Sequence, residues 1–216
     1  MKLHFEIFDQ ERIQVFKKLK FFNREGFLAG GTALALQIGH RLSYDFDLFC
    51  RAKINESLVL KAKKTFSIKK VLINNQDELT FLVDNGIKIS FIHYPFNLNN
   101  YLFEDGLPIK ILAVKGVALT KAYTLNRRNS WRDYLDLYFI LSEKFITLEG
   151  IISQAKKVYG EMFSEKLFLA QLVYTDDIAK SEIGGLKVLA KKITLNQVKH
   201  FFQKEIDDYL KGSFLA

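Results

Sequence analysis

Two aspartates two residues apart form the first candidate site. Asp45 and Asp47 alternate with Phe46 and Leu48 at the end of the stretch FLAGGTALALQIGHRLSYDFDLF. Residues two apart on a β-strand project from the same face, so we expect these carboxylates to lie roughly 6–7 Å apart along the chain. Two carboxylates so placed repel each other unless a cation lies between them. Carboxylate oxygens suit Mg²⁺ and Mn²⁺, so the pair predicts a site for one of these ions.

A glycine pair precedes the aspartates in the same stretch. Gly30, Gly31 and Thr32 follow a short apolar strand and lead into an apolar helix. Glycine has no Cβ, so the backbone there can approach a ligand closely, and the free N–H groups of a helix N-terminus attract anions. A Gly-Gly turn alone is usually only a turn, and an Asp-x-Asp alone is usually a solvated strand end. Together, in one strand–helix–strand unit, they predict a phosphate-binding site beside a metal-binding site.

The second candidate site lies in KAYTLNRRNSWRDYLDLYFIL, residues 121–141. Asp136 stands within an apolar run, where an unpaired buried carboxylate would cost several kcal/mol. We therefore predict that it pairs with Lys121, on the preceding helix, if the NRRNS segment lets the two helices fold back. Asp133 follows Ser130 at the spacing of a capping box, so we interpret it as a helix cap.

Composition limits the class of protein. The chain has 216 residues, 49% hydrophobic and 26% charged, and no run approaches the roughly 18 apolar residues of a membrane span. Glu6, Asp9 and Glu11 stand where a signal peptide would be apolar, so we expect a cytoplasmic protein without a membrane partner. The single Cys50 excludes an intrachain disulfide and a thiolate cluster, and we interpret it as a buried strand-end residue.

The formal net charge of +8 favours polyanionic partners without specifying one. The basic residues form two groups, which are Lys61, Lys63, Lys64, Lys69 and Lys70, and then Arg127, Arg128 and Arg132. We interpret the lysines as a solvated surface. The arginines adjoin the second candidate site and are the better candidates for contact with a polyanion.

Hydrophobic periodicity predicts an α+β fold with two parts. Strands are predicted at 27–29, 45–50, 69–73, 79–83 and 87–93, with a hairpin turn at 84–86. Helices are predicted at 9–24, 32–41, 57–66, 115–125, 131–141, 148–159, 164–174, 185–192 and 195–210. Loop signals in FNLNNYLFEDGLP place a boundary between an N-terminal lobe, 1–105, and an all-helical C-terminal lobe, 106–216.

The blocks GGTALALQIGHRLSYDFDLF and AVKGVALTKAYTLNRRNSWRDYLDLYFIL resemble those of the AbiEii/AbiGii toxin nucleotidyltransferases, a bacterial branch of the polymerase beta-like fold. The resemblance implies a nucleotidyltransferase lobe with a mixed sheet, followed by a helical lobe. It also implies metal-dependent transfer of a nucleotidyl group from a nucleoside triphosphate, and a cognate antitoxin. Its site residues would be the phosphate turn Gly30, Gly31 and Thr32, the hydroxyl of Ser43, the metal pair Asp45 and Asp47, and the later polar pair Lys121 and Asp136.

One position departs from the polymerase beta-like pattern. Those enzymes usually take a third carboxylate from a later strand, where alternation in GIKISFIHYP places Lys88, Ser90 and Ile92 on one face. Ser90 therefore stands where a carboxylate is expected, and a single Mg²⁺ is favoured over two. Lys121 would neutralise developing charge, and Asp136 would orient that lysine or accept the proton of an attacking hydroxyl.

The acceptor of the nucleotidyl group is open at this level. The basic surface and the family favour an RNA, with a tRNA end as the leading candidate. One alternative is a catalytically degenerate module that binds a nucleotide or an antitoxin. Another is a transferase that acts on a protein or a small molecule.

Overall fold

The chain divides into two compact units. The computed structural model describes residues 2–104, 106–125, 127–128 and 130–214. The units are residues 1–113 and 114–216. The sequence placed the boundary between 105 and 106, and residue 105 lies outside the described residues. The first unit extends to residue 113 because its last strand pairs with its first, which ties the PIKILA segment to the sheet.

The first unit is built on a mixed seven-stranded sheet. Its strands are β1 (Gly26–Ala29), β2 (Phe46–Cys50), β3 (Ile68–Asn74), β4 (Glu78–Val83), β5 (Lys88–His93), β6 (Leu102–Phe103) and β7 (Ile111–Leu112). Their order across the sheet is β3-β4-β5-β2-β1-β7-β6. The β2–β5 and β1–β7 pairs are parallel, and the other pairs are antiparallel.

Helices of the first unit are α1 (Gln10–Lys18), α2 (Gly30–Ile38) and α3 (Glu56–Thr65). The side chain of Asp9 caps α1, and that of Asn55 caps α3. The predicted helix at 9–24 ends earlier as an α-helix and continues as a 3₁₀ turn, Leu19–Phe22. Aromatic packing forms much of the core, since Phe22 contacts Phe91 of β5 with a ring-centroid distance of 4.8 Å.

The alternation predicted for the strand of the acidic pair is confirmed in β2. In β2, Phe46 and Leu48 are fully buried, whereas Asp47 between them is half-buried. Cys50 ends β2 and is buried, as the sequence predicted, and burial raises the pKa of its thiol to about 12. One face of the central strands therefore carries the core, and the opposite face carries the acidic pair.

The second unit contains α4 (Val114–Leu125), α5 (Trp131–Ser142), α6 (Leu148–Tyr159), α7 (Glu165–Val173), α8 (Lys180–Gly185) and α9 (Leu195–Phe214). The helix predicted at 185–192 is wrong, since α8 ends where that prediction begins. Two consecutive glycines, Gly184 and Gly185, disfavour continuing a helix. Of the predicted break after α4, Asn126 and Asn129 lie outside the described residues. None of the helices described is long and apolar enough to cross a membrane.

Candidate active site

The β1–α2–β2 segment brings the glycines to the acidic pair. The predicted helix start at Thr32 is two residues late, because α2 begins at Gly30, directly after β1. Asp45 stands immediately before β2 rather than within it. Asp47 is paired across the sheet with Ala29, the last residue of β1, so its carboxylate lies at the junction of β1 and α2.

The two glycines make room for side chains of the protein itself. Gly30 has a φ of +67°, and a β-carbon there would lie 2.9 Å from Oδ2 of Asp47. A β-carbon on Gly31 would overlap the guanidinium of Arg41. The missing β-carbons therefore let one acidic and one basic side chain approach the first turn of α2.

Arg41 is a candidate functional residue that the sequence reasoning missed. Its residue exposure is only 3%, and its Nη1 donates a hydrogen bond to the Leu42 carbonyl oxygen at 3.0 Å. The guanidinium lies against Gly31, where the N–H groups and dipole of α2 already favour an anion. A fixed cation beside a helix N-terminus makes this end of α2 a candidate phosphate seat. The only sequence signal was a basic residue close before Ser43.

Thr32 and Ser43 position the chain that leads to Asp45. Both are buried, and their hydroxyl oxygens are hydrogen-bonded at 2.7 Å. The Thr32 hydroxyl also donates to the main-chain carbonyl of Asp45. These contacts fasten the segment before β2 to α2, so the hydroxyl of Thr32 is engaged within the protein. The main-chain N–H groups at the start of α2 and the guanidinium of Arg41 beside Gly31 are the candidate phosphate contacts.

Strand β5 supplies the neighbours of the acidic pair. Phe46 is opposite Ile89 and Asp47 is opposite Ser90, so the predicted face of Lys88 and Ser90 is confirmed. Asp45 forms an ion pair with Lys88, with Oδ2 and Nζ 2.8 Å apart. Within the described residues, no three His, Cys, Asp or Glu side chains are grouped so as to hold a metal ion. Asp45 and Asp47 are two half-buried oxygen donors, which suits one hard cation whose other ligands are water and substrate.

The second unit contains a buried charge cluster between α4 and α5. Nζ of Lys121 lies 2.7 Å from Oδ2 of Asp136, so the predicted pair is confirmed. It also lies 2.6 Å from Oδ1 of Asp133, whose Oδ2 binds Nε of Arg128 at 3.1 Å. Both aspartates are 0% exposed. Their negative charges are balanced by one lysine and one arginine, as burial requires.

The interpretation of Asp133 as a cap is wrong. Its carboxylate points into the cluster, and the Ser130 hydroxyl donates to Glu182 of α8 at 3.2 Å. Glu182 also accepts the Trp131 N–H at 3.0 Å, which satisfies the start of α5. The spacing of a capping box was present, but a buried lysine competes more strongly for the carboxylate than a helix N–H.

The two basic groups differ in their contacts. Lys61 forms an ion pair with Glu25 at 2.6 Å, and Lys63, Lys64, Lys69 and Lys70 are exposed, in keeping with a solvated surface. Arg127 stacks over the ring of Tyr123, with 3.6 Å between Cζ and the ring centroid. Arg127 and Arg132 are exposed, so this surface offers guanidinium groups to a polyanion.

The mixed sheet with its helices and acidic pair has the polymerase beta-like fold of nucleotidyltransferases. MenT4, a nucleotidyltransferase toxin from Mycobacterium tuberculosis H37Rv, has a similar structure: the TM-score is 0.59 at 17% identity, over 90% of this chain and 80% of that one. JHP933 from Helicobacter pylori gives a TM-score of 0.54 at 17% identity, over 98% and 97% of the two chains.

Sequence similarity gives the family. The chain belongs to the AbiEii family of nucleotidyl transferase toxins, described as a type IV toxin–antitoxin system, whose model matches residues 15–211. A protein of Aquifex aeolicus (strain VF5), aq_aa25, is 31% identical over 190 residues, which are 86% of this chain and 88% of that protein. The chain is thus a nucleotidyltransferase of a toxin family.

Proposed function

We propose that this nucleotidyltransferase is a toxin that transfers a nucleotidyl group from a nucleoside triphosphate to an RNA acceptor, with tRNA as the leading candidate. The observation that carries the proposal is the half-buried pair Asp45 and Asp47 beside the N-terminus of α2. Acidic side chains that hold a cation and a helix start that holds phosphates are what a triphosphate substrate requires.

The reaction forms one bond and breaks one. A hydroxyl oxygen of the acceptor attacks the α-phosphorus of the triphosphate, the bond from that phosphorus to the α,β-bridging oxygen breaks, and pyrophosphate leaves. The hydroxyl proton passes to solvent. The N–H groups of α2 and the guanidinium of Arg41 bind the phosphates and stabilise the negative charge of the leaving group.

Asp45 and Asp47 are the residues that would hold Mg²⁺ or Mn²⁺. Such an ion, when bound, neutralises negative charge on the triphosphate. Thr32 and Ser43 hold the segment before Asp45 on α2, which fixes where that carboxylate points. Gly30 has the same effect on Asp47, because a β-carbon at residue 30 would occupy the space that the Asp47 carboxylate takes.

Lys121 and Asp136 are proposed to contribute to activity together, as an ion pair. Asp136 contacts Lys121 at 2.7 Å in a fully buried position, which favours the role of orienting the lysine over that of accepting a proton from solvent-borne substrate. The positive charge of Lys121 would then neutralise negative charge that develops during the transfer. Arg128 binds Asp133 of the same cluster, and its own side chain is exposed.

An RNA acceptor is supported by the net charge of +8 and by the exposed guanidinium groups of Arg127 and Arg132. Membership in a toxin–antitoxin family supports a cognate antitoxin as partner. Nucleoside triphosphates and tRNA are cytoplasmic, so we place the protein in the cytoplasm.

The test is incubation of the purified protein with each α-labelled nucleoside triphosphate, Mg²⁺ or Mn²⁺, and total tRNA. A gel then reads the label in the RNA and in the protein itself. We expect label in RNA, reduced by at least about 10²-fold in Asp45→Asn and Asp47→Asn because charge stabilisation supplies much of the rate.

The other outcomes separate the alternatives. Label only in the protein indicates a protein acceptor. Label in neither, with all four nucleotides and without an antitoxin, would falsify the transfer and favour a module that binds a nucleotide or an antitoxin without catalysis. The observation that favours this alternative is Ser90, which stands at the position of the third carboxylate.

A further inference from the structure

Lys88 and Asp45 form an ion pair on the face of the sheet that carries the candidate metal site. Nζ of Lys88 lies 2.8 Å from Oδ2 of Asp45. The parallel register of β2 and β5 sets Phe46 opposite Ile89. Asp45, just before β2, therefore lies level with Lys88, the first residue of β5. The side chain of Lys88 is 38% exposed and that of Asp45 30%, so dissolved ligands can reach both.

The same register defines the charge of this face. Asp47 is opposite Ser90, and Ser90 is opposite Thr80 of β4. Both hydroxyl residues are buried. A two-metal site needs further anionic ligands, and the described residues bring no third acidic, histidine or cysteine side chain to the pair. This face thus carries the ammonium of Lys88 beside Asp45, and the guanidinium of Arg41 lies against Gly31, next to the turn that Asp47 contacts. Two carboxylates with basic side chains close by suit a single divalent cation.

We propose that Lys88 is a phosphate subsite of the triphosphate. In the ligand-free protein its ammonium neutralises Asp45. When a divalent cation takes that carboxylate, the ammonium binds a phosphate of the nucleotide instead. The proposal rests on the proposed function, because it concerns the same triphosphate at the same site. Lys88 then contributes at this strand the positive charge that a second metal ion supplies in a two-metal site.

The exchange is physically easy. A divalent cation and an ammonium compete for the same carboxylate oxygen, and lysine carries three rotatable donors on a flexible four-carbon stem. Ion pairs exposed to this degree contribute little to stability, so leaving Asp45 costs little. The phosphate that replaces the carboxylate is again an anionic oxygen acceptor, so Lys88 keeps a charge-assisted hydrogen bond throughout.

The rival explanation is that the ion pair only fastens β2 to β5. A fastening contact predicts that its removal lowers stability and that the affinities for cation and nucleotide stay the same or fall together. The subsite predicts changes of opposite sign. Without the lysine the cation binds more tightly because its competitor is gone, whereas the nucleotide binds more weakly because a phosphate contact is lost.

The experiment measures both affinities by calorimetry. Mn²⁺ alone is titrated into the wild type, Lys88→Met, Lys88→Arg and Lys70→Met, and each nucleoside triphosphate is then titrated at saturating Mn²⁺. Lys70 provides the matched control. Lys70 is exposed and lies opposite Leu82 of β4, which in turn lies opposite Lys88 of β5. Its substitution removes the same charge two strands away from Lys88.

We expect Lys88→Met to bind Mn²⁺ about threefold to fivefold more tightly and the preferred triphosphate at least about tenfold more weakly. Lys88→Arg should retain most of the nucleotide affinity, and Lys70→Met should match the wild type in both. Equal affinities in Lys88→Met and the wild type, or a parallel fall in both, overturn the subsite while the proposed function stands. If the wild type binds no Mn²⁺, the metal site and the subsite fail together.

Discussion

The carboxylate of Asp47 occupies the space that a side chain at Gly30 would need. A β-carbon on residue 30 would lie 2.9 Å from Oδ2 of Asp47, closer than such atoms approach in folded proteins. Gly30 also has a φ of +67°, a conformation that costs other residues about 1–2 kcal/mol. The start of α2 and the acidic strand β2 therefore pack closely at this point. A substitution at Gly30 should displace the Asp47 carboxylate.

The first prediction compares two glycine substitutions. Gly30→Ala should lower stability by more than the strain of about 1–2 kcal/mol, because Asp47 must also move. Gly86→Ala is the matched control, with a φ of +79° and nothing within 4 Å of the added carbon. Urea denaturation measures the stabilities, and the labelled-nucleotide gel measures transfer. Gly86→Ala should keep its activity, and equal activity in Gly30→Ala would contradict the placement of Asp47 in the site.

The second prediction concerns ligand-induced stabilisation. Mg²⁺ with the preferred nucleoside triphosphate should raise the melting temperature, since a ligand at 100 times its dissociation constant adds about 2.7 kcal/mol. For a chain of this size that corresponds to roughly 5–10 °C. Asp45→Asn should melt near the wild-type temperature without ligand and lose the increase. A thermal-shift assay measures both, and a full increase in the mutant removes Asp45 from the cation site.

The third prediction concerns the buried cluster of the second unit. Lys121→Met leaves Asp133 and Asp136 without their shared counter-ion at 0% exposure, so it should destabilise the protein by about 3–5 kcal/mol. Lys156→Met removes an exposed ion pair with Glu165 and should cost less than about 1 kcal/mol. Chemical denaturation followed by circular dichroism measures both. Similar small losses of stability in the two variants would show that the Lys121, Asp133 and Asp136 cluster is not a buried network of mutually dependent charges.

That stability effect bears on how activity data are interpreted. Loss of transfer in Lys121→Met has two possible sources, unfolding and lost chemistry. Asp136→Asn is the more informative variant, because the amide keeps the shape of the side chain while removing its charge. Activity assayed at a temperature where circular dichroism shows a folded protein separates the two sources.

The sequence predicted the parts of the structure that local rules govern. The alternation of Phe46, Asp47 and Leu48 defines a face, and so does that of Lys88 and Ser90, which is why the acidic pair and its neighbours were found. The Lys121–Asp136 pair followed from the cost of an unpaired buried charge, which holds in any fold.

The sequence did not predict contacts that depend on tertiary placement. Arg41 lies against Gly31 only because the chain after α2 folds back over the start of that helix. The spacing from Ser130 favoured a cap for Asp133, yet the neighbouring helix presents Lys121 to the same carboxylate. In the GLKVLAKK segment helical periodicity was present, but the glycines before it end α8.

A fourth prediction follows from Cys50. Its residue exposure is 2%, and burial raises the pKa of the thiol to about 12. Since the thiolate is the reactive form, the native protein should not react with a thiol reagent at pH 8, and the urea-unfolded chain should react at once. Absorbance of a released chromophore measures the reaction. Above pH 9 the unfolded thiol ionises while the folded one does not, so this group should lower stability as pH rises from about 9 to 12.

The last prediction tests the charge of the acidic face at position 90. Ser90 is buried opposite Asp47, so Ser90→Asp adds a carboxylate beside an existing one, whereas Ser90→Ala removes only a hydroxyl. Without divalent cations, Ser90→Asp should be less stable than Ser90→Ala by about 3 kcal/mol or more, because the added charge is buried and has no added counter-ion. Saturating Mn²⁺ should reverse much of that difference, since the extra carboxylate provides a further oxygen ligand. Ser90→Ala should respond to Mn²⁺ as the wild type does and keep most of its transfer activity. Melting temperatures with and without Mn²⁺ decide the matter: if the two variants melt together in the absence of metal, residue 90 is not within the field of Asp47, and a site with one cation no longer follows from this face of the sheet.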